Sequence, residues 1–198
     1  MNILHIDSAT TGADSVSRAL TQAIVDKLTG ENPDANVVYR DLGTEPLAHL
    51  NPVLTGAIRF PEADQTDDMK AAAISERKVL DEFLAADVVV IGAPMYNFTI
   101  PSNLKSWIDR ICIPQVTFRY TENGLEGLAG KGKRVIIASS FGGNYQPDSA
   151  PLTFHEGVLQ AFLNLIGCEN MEIVRGSGVG IRGAEAAVAD GKEQIAAL

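Results

Sequence analysis

Two rhythms of apolar residues alternate along the chain. Ile3-Leu4-His5-Ile6 is a short run that stops at Asp7-Ser8, and from Ser15 the residues Ala19, Leu20, Ala23, Ile24 and Leu28 recur at helical spacing until Gly30. The pattern predicts a strand, a loop and a helix. Asn36-Val37-Val38-Tyr39 is a second short strand, whereas Asp41 to Gln65 carries Pro46, Pro52 and Pro61 and predicts loop with short helical pieces. Ile74, Leu80, Phe83 and Leu84 mark a helix that leads into Asp87-Val88-Val89-Val90-Ile91-Gly92. This third strand is apolar at consecutive positions, as a central parallel strand covered on both faces must be. A helix from Leu104 to Ile111 and the strand Val135-Ile136-Ile137-Ala138 follow. A helix carrying Val158, Leu159, Phe162, Leu163 and Ile166, the strand Glu172-Ile173-Val174 and an alanine-rich helix to Leu198 complete the series.

Five strands alternating with helices predict an α/β three-layer sandwich, with a parallel sheet, right-handed crossovers and helices on both faces. Five strands favour the flavodoxin-like order 2-1-3-4-5, whose ligand edge lies beyond the strand C-termini where the order reverses. Between Ile113 and Arg134, Val116-Thr117-Phe118-Arg119-Tyr120 and the turn at Glu122-Asn123-Gly124 predict a small hairpin inserted before strand four. No repeat or linker divides residues 1–198, and 45% apolar content over that length suffices for one sizeable core. A single domain is expected.

Charge and cysteine usage remove several function classes. The 16 Lys and Arg against 25 Asp and Glu leave a net charge of −9, which argues against a protein that neutralises phosphates along a nucleic acid or an anionic membrane. No apolar run approaches a membrane span, and Met1-Asn2-Ile3-Leu4-His5-Ile6-Asp7 lacks the regions of a signal peptide. A soluble cytoplasmic protein is expected. Cys112 and Cys168 stand far apart without a second ligand at metal spacing, so neither a disulfide framework nor a metal site is expected.

Three motifs tempt and fail. Gly178-Val179-Gly180-Ile181-Arg182-Gly183 is a literal G-x-G-x-x-G after a strand. Too little chain follows for the next strand and the acidic ribose partner of a dinucleotide fold, so it is read as a glycine-rich turn closing the last strand. Gly127 to Lys133 matches G-x-x-x-x-G-K, but Arg134 stands where Ser or Thr should ligate magnesium and the segment feeds a strand. Ser139-Ser140 with His155 as base would suggest a hydrolase, yet no G-x-S-x-G elbow is present. His155 shares a face with Val158, Leu159 and Phe162 and is read as a packing or helix-surface residue.

What survives is a set of three loops leaving the C-terminal ends of strands one, three and four. The first, Asp7 to Arg18, contains Ser8 and Ala9, is dense in hydroxyls and opens a helix. Ser15, Val16 and Ser17 with free backbone amides there make a phosphate site without a lysine. The second, Gly92 to Ser102, is fenced by Pro94 and Pro101, and its rigid turn bears Met95, Tyr96, Asn97 and Phe98. Such a turn offers a planar ring an apolar wall and fixed peptide groups. In the third, Ser140, Phe141, Gly142 and Gly143 let backbone approach the other edge of the ring. A phosphate cradle beside a stacking platform predicts a flat phosphorylated cofactor, and FMN fits. Tyr96, Phe98, Phe118 and Tyr120, expected at one edge, form a larger apolar cluster than a monomer leaves in water and predict a homodimer.

The residues also carry a resemblance. Ala93-Pro94-Met95-Tyr96-Asn97-Phe98, the stretch Val116 to Gly124, the Ser15-Val16-Ser17 segment and Phe141-Gly142-Gly143 together resemble the bacterial FMN-dependent NADH-azoreductase family over essentially the whole chain. The resemblance implies a flavodoxin-like homodimer that uses NADH to reduce quinones and aromatic azo compounds. It implies Ser15, Val16 and Ser17 on the phosphate, Met95 to Phe98 along the flavin, and Phe118, Tyr120 and Phe162 on the substrate side. The chain departs from that pattern at Ala9, Phe141 and near Tyr145, where many relatives carry a serine, a basic residue and a histidine. The expected mechanism is ping-pong hydride transfer through flavin N5, with Tyr120 a candidate proton donor. The rival class is a flavodoxin-type electron carrier that docks redox partners on an acidic surface.

Overall fold

The computed structural model describes residues Met1–Leu198. Its strands are β1 (Asn2–Asp7), β2 (Asn36–Asp41), β3 (Val88–Pro94), β4 (Phe118–Thr121), β5 (Gly124–Gly127), β6 (Arg134–Phe141) and β7 (Asn170–Ser177). Its helices are α1 (Val16–Glu31), α2 (Pro52–Arg59), α3 (Asp67–Ala85), α4 (Ser102–Ile111), α5 (Ala150–Leu165), α6 (Val179–Arg182) and α7 (Ala184–Ala196). One parallel sheet runs in the order β2-β1-β3-β6-β7, and β4 pairs antiparallel with β5 in a separate hairpin. With the hairpin set aside, this is the expected order 2-1-3-4-5.

The alternation of side chains along each strand builds two cores from the same strands. Leu4 and Ile6, Val89, Ile91 and Ala93, and Val135 and Ile137 point to one face, where α3, α4 and α5 supply Phe83, Leu104, Trp107, Leu159 and Phe162. Ile3, Val88, Val90, Ile136 and Ala138 point to the other, where α1 and α7 supply Leu20, Ile24, Ala187 and Ile195. Helix starts follow local chemistry. Asn51 caps α2 ahead of Pro52, and Thr66 caps α3 ahead of Asp67 and Asp68, whose charges suit a helix N-terminus. The proline-rich stretch breaks into α2 and the short turn Glu62–Asp64, as its prolines predict.

The hairpin is anchored at the edge of the sheet where the strands begin. Leu128 donates its amide to Thr117, and Gly130 donates to Ile166 just before β7, at 2.8 and 2.7 Å. The cofactor turn leaves the opposite edge. A strand of β6's length spans about 20–25 Å at roughly 3.3 Å per residue, so one chain does not bring Phe118 and Tyr120 to Tyr96 and Phe98. The expectation of all four aromatics at one edge is therefore corrected: α4 runs back along the sheet before the hairpin begins. Phe118 is also buried, against Tyr120 at 5.7 Å between ring centres. No helix is long and apolar enough to cross a membrane.

Candidate functional site

At the C-terminal edge of the sheet a cleft of about 480 Å³ is lined by Thr11, Asp14, Ser15, Val16, Pro94, Met95, Tyr96, Ser140, Phe141, Gly142, Val179 and Gly180. One end of it is the start of α1. Ser15 caps the helix, its Oγ accepting from the Arg18 amide at 3.4 Å and lying 3.0 Å from the Oγ of buried Ser17. The amides of Val16 and Ser17 have no acceptor within the chain. Two free N–H groups, two hydroxyls and the positive end of a 16-residue helix form an anion cradle made of neutral donors.

The other end is the turn after β3. The Tyr96 and Thr99 amides donate to each other's carbonyls at 2.9 and 3.2 Å, with Asn97 at φ 49° and Phe98 at φ 69° between them. Two consecutive positive φ values inside a two-residue loop define a type I′ turn, normally the place of Asn-Gly. A bulky aromatic there is a backbone outlier, and it is held in place by its neighbours. The Thr10 amide donates to the Tyr96 hydroxyl at 3.0 Å, the Met95 amide donates to Ser140 at 2.7 Å, and Thr99 Oγ1 donates to Phe154 at 3.1 Å. His155 Nε2–H donates to the Ala93 carbonyl at 3.1 Å. Burial in this apolar layer pushes the His155 pKa down and keeps the ring neutral. Phe98 remains 55% exposed at the tip.

The third wall comes from the glycine motif that fails as a dinucleotide fingerprint. It closes β7 as expected, and it also folds onto the loop after β6: Gly178 donates to Gly143 at 2.8 Å and Gly180 to Gly142 at 3.0 Å. Gly178 takes φ 70°, which permits the sharp entry into α6. Val179 and Gly180 thereby line the cleft. The other two motifs are accounted for as well. Lys133 Nζ donates to Leu84 at 2.9 Å and caps the end of α3. Ser139 is buried and His155 is fully enclosed, so neither is offered to a substrate.

Of the residues expected around a cofactor, Ser15, Val16, Pro94, Met95, Tyr96, Ser140, Phe141 and Gly142 line the cleft. Ser17 lies just beneath it, Gly143 borders it, and Asn97 and Phe98 lead out of it. Ser8 and Ala9 are buried behind the cradle, where Ser8 Oγ donates to the Gly92 carbonyl at 2.6 Å. Phe162 is buried against Trp107, ring centres 5.8 Å apart, and does not face the cleft of its own chain. Phe141 is also buried and packs on Tyr145 at 5.6 Å. Thr11, Asp14, Val179 and Gly180 are the lining residues that pattern reading missed. The signal for the last two is the rule that loops beyond neighbouring parallel strands share one ligand edge. A second groove of about 440 Å³, between α2 and α3, lies away from that edge.

A doubly wound parallel sheet with an anion cradle and a rigid aromatic turn at its switch point defines a mononucleotide-binding class of α/β protein. A model of the flavodoxin-like fold family matches residues 1–198, and the chain belongs to that family. It is 49% identical to an FMN-dependent NADH:quinone oxidoreductase of Sinorhizobium fredii over 204 residues, covering 99% of this chain and 96% of the relative. A protein of the same name from Methylorubrum populi is 48% identical over 203 residues, covering 100% and 98%. Among solved structures, azoreductase AzrA superposes with a TM-score of 0.88 at 29% identity, covering 100% of this chain and 98% of that one. An FMN-dependent NADH-azoreductase from Bacillus anthracis in complex with FMN superposes with a TM-score of 0.85 at 25% identity, covering 99% and 98%.

Proposed function

We propose that this chain is an FMN-dependent, NADH-driven enzyme that passes two electrons to quinones and to aromatic azo compounds. The observation that carries the reading is one cleft with Ser15 and Val16 of the helix-start cradle at one end and Met95 and Tyr96 of the rigid turn at the other, in a chain nearly half identical to quinone oxidoreductases. The residues fit the cofactor: a neutral-donor cradle suits a single phosphate, and the wall of Met95 and Tyr96 suits a flat ring. When bound, FMN supplies a ring that takes hydride from NADH and delivers it to an electrophile.

The chain's own work is placement and dryness. The Val16 and Ser17 amides and the Ser17 hydroxyl would hold the phosphate of a bound FMN, with the α1 dipole behind them. The amides of Asn97 and Phe98 have no acceptor within the chain and are available to ring heteroatoms. Ser140 to Gly142 and Val179–Gly180 close the far side, leaving one opening beside Phe98. That opening admits one planar molecule at a time, so donor and acceptor bind by turns. Tyr120 is 71% exposed at the other edge and serves no proton to the cleft of its own chain.

A homodimer completes the opening in this reading. The outer face of α5 is an apolar stripe with exposed Phe154 and Val158 one turn apart and exposed Ala161 and half-buried Leu165 beyond. Its inner face carries Leu159, Phe162 and Leu163, so apolar residues occupy both the inner face and the outer stripe, and the exposed polar residues are confined to the strip of Thr153, Gln160 and Asn164, more apolar surface than a helix covered on one face alone needs. The stripe runs from the cofactor turn to the hairpin, where Leu125 and Leu128 are exposed. A two-fold axis across the middle of α5 lays the hairpin of one copy, with Tyr120, over the cofactor turn of the other. The two unpaired cysteines suit a reducing cytoplasm.

Steady-state rates with NADH and benzoquinone varied together test the reading. Parallel double-reciprocal lines, with inhibition by excess of either substrate, are expected. Intersecting lines mean two separate sites, and NADH oxidation that requires an added partner protein means an electron carrier.

A further inference from the structure

We propose that Arg18 is a positioning residue of the phosphate cradle: its guanidinium fixes the Ala9 carbonyl and the first turn of α1 so that the cradle amides face the anion, and it adds no attraction of its own. The proposal rests on the reading of the Ser15–Ser17 turn as the phosphate site.

Arg18 is the only cation on the opening turn of α1, and its N–H groups are turned away from the cleft. Nη2 donates to the Ala9 carbonyl at 2.9 Å, and Nη1 donates to Tyr39 Oη at 3.0 Å and to Asp41 Oδ2 at 2.8 Å. Nη2 also bonds Asp41 Oδ1, making the carboxylate contact two-pronged. Nε has no partner but is buried, so no N–H of this side chain is offered to a ligand. Asp41 is itself oriented from behind by the amides of Gly43 and Thr44, at 2.9 and 3.3 Å. The Arg18 hydrogen bonds hold its carboxyl down at about 2, so the pair stays ionised.

The charge is cancelled as well as tied. Asp7 Oδ2 lies 3.5 Å from Nη1 and accepts from Tyr39 Oη at 2.9 Å, while Asp7 Oδ1 accepts from Thr21 at 2.8 Å. His5 Nε2 stands 3.4 Å from Asp7. Two carboxylates around one guanidinium leave no net positive field for a phosphate. What the network does is mechanical. The backbone of Arg18 lies in the cradle turn and its side chain grips Ala9 at the other end of the same loop, closing the loop into a ring. Released, the Ala9 carbonyl would be free to turn its oxygen toward the anion, where it repels. Gly43 permits the grip, since a methyl there would run into both the Ala9 oxygen and Nη2. Lysine, with a single nitrogen, cannot reproduce the planar two-nitrogen fork that reaches Ala9, Tyr39 and both oxygens of Asp41.

Fluorescence titrations with FMN and with riboflavin, which has the same ring and no phosphate, separate the possibilities. The parent protein should bind FMN far more tightly than riboflavin. Arg18→Gln and Arg18→Lys should each weaken FMN about tenfold, the scale of one lost charge-assisted hydrogen bond, and leave riboflavin within about twofold. Asp41→Asn should also weaken FMN. An unchanged FMN-to-riboflavin ratio in Arg18→Gln, equal loss of both flavins, or tighter FMN in Asp41→Asn would each overturn the proposal. The last would reveal simple charge attraction. A parent protein with no preference for FMN overturns the phosphate reading itself and this proposal with it.

Discussion

Phe98→Ala and Phe98→Gly remove the same ring and differ only in the backbone they tolerate. Phe98 sits at φ 69° beside Asn97 at φ 49° and is 55% exposed. Left-handed backbone costs an L residue about 1–2 kcal/mol. A half-covered ring returns about 1 kcal/mol, half of the roughly 1.5–3 kcal/mol of a fully buried one. Alanine loses the ring and keeps the strain, so stability should fall by about 1 kcal/mol. Glycine loses the ring and sheds the strain, less about 0.5–1 kcal/mol of backbone entropy, and should come out near the parent. The gap between the variants, about 0.5–1 kcal/mol, corresponds to a few degrees at about 2–4 °C per kcal/mol in a domain of this size. Thermal melts measure it. In NADH–quinone kinetics both variants should raise the acceptor KM more than they weaken FMN binding, because the ring borders the substrate. Equal melting temperatures would refute the strain, and an unchanged KM in both would refute the ring's role.

Three further outcomes are expected. Ser17→Ala should weaken FMN by about 1–2 kcal/mol, or about five- to thirtyfold, with riboflavin unaffected; parent-like affinity would move the phosphate elsewhere. His155 is held neutral below its usual 6.5, so as pH falls through that value the unfolded chain takes a proton that the folded one refuses and stability declines. His155→Gln should flatten the stability profile just below pH 6.5, and denaturant melts that show the parent's slope in the variant would contradict this. Sedimentation should find a dimer in the parent and a monomer in Val158→Glu, which keeps FMN but loses quinone reduction; a monomeric, active parent would dismiss the shared opening.

The sheet was readable because its central strands are apolar at consecutive positions and its helices are not: Val88 to Ile91 is covered by α3 and α4 on one face and by α1 on the other, as a strand buried on both faces must be. The cradle and the turn were readable for a related reason, since hydroxyls ahead of a helix and prolines around an aromatic segment carry their geometry with them. What escaped were particular side-chain and loop contacts between elements. Arg18, Asp41, Asp7 and Tyr39 come from α1, β2 and β1, and no periodicity announces that they share one network. The glycine motif from Gly178 to Gly183 showed a turn but not that its amides would close onto Gly142 and Gly143. Local pattern likewise placed Tyr120 on a hairpin without indicating that α4 carries that hairpin to the far edge, or that Phe162 turns inward onto Trp107.

The central claim, a single FMN that takes hydride from NADH and yields it to a small electrophile at one opening, is tested most directly by the visible spectrum through one anaerobic turnover. Purified protein, loaded with FMN if necessary, should show flavin bands that NADH bleaches and an equivalent of benzoquinone restores without any other protein. Denaturation should then release FMN. Failure to bind flavin at micromolar concentrations, release of FAD, or bands that NADH leaves unchanged would contradict the account.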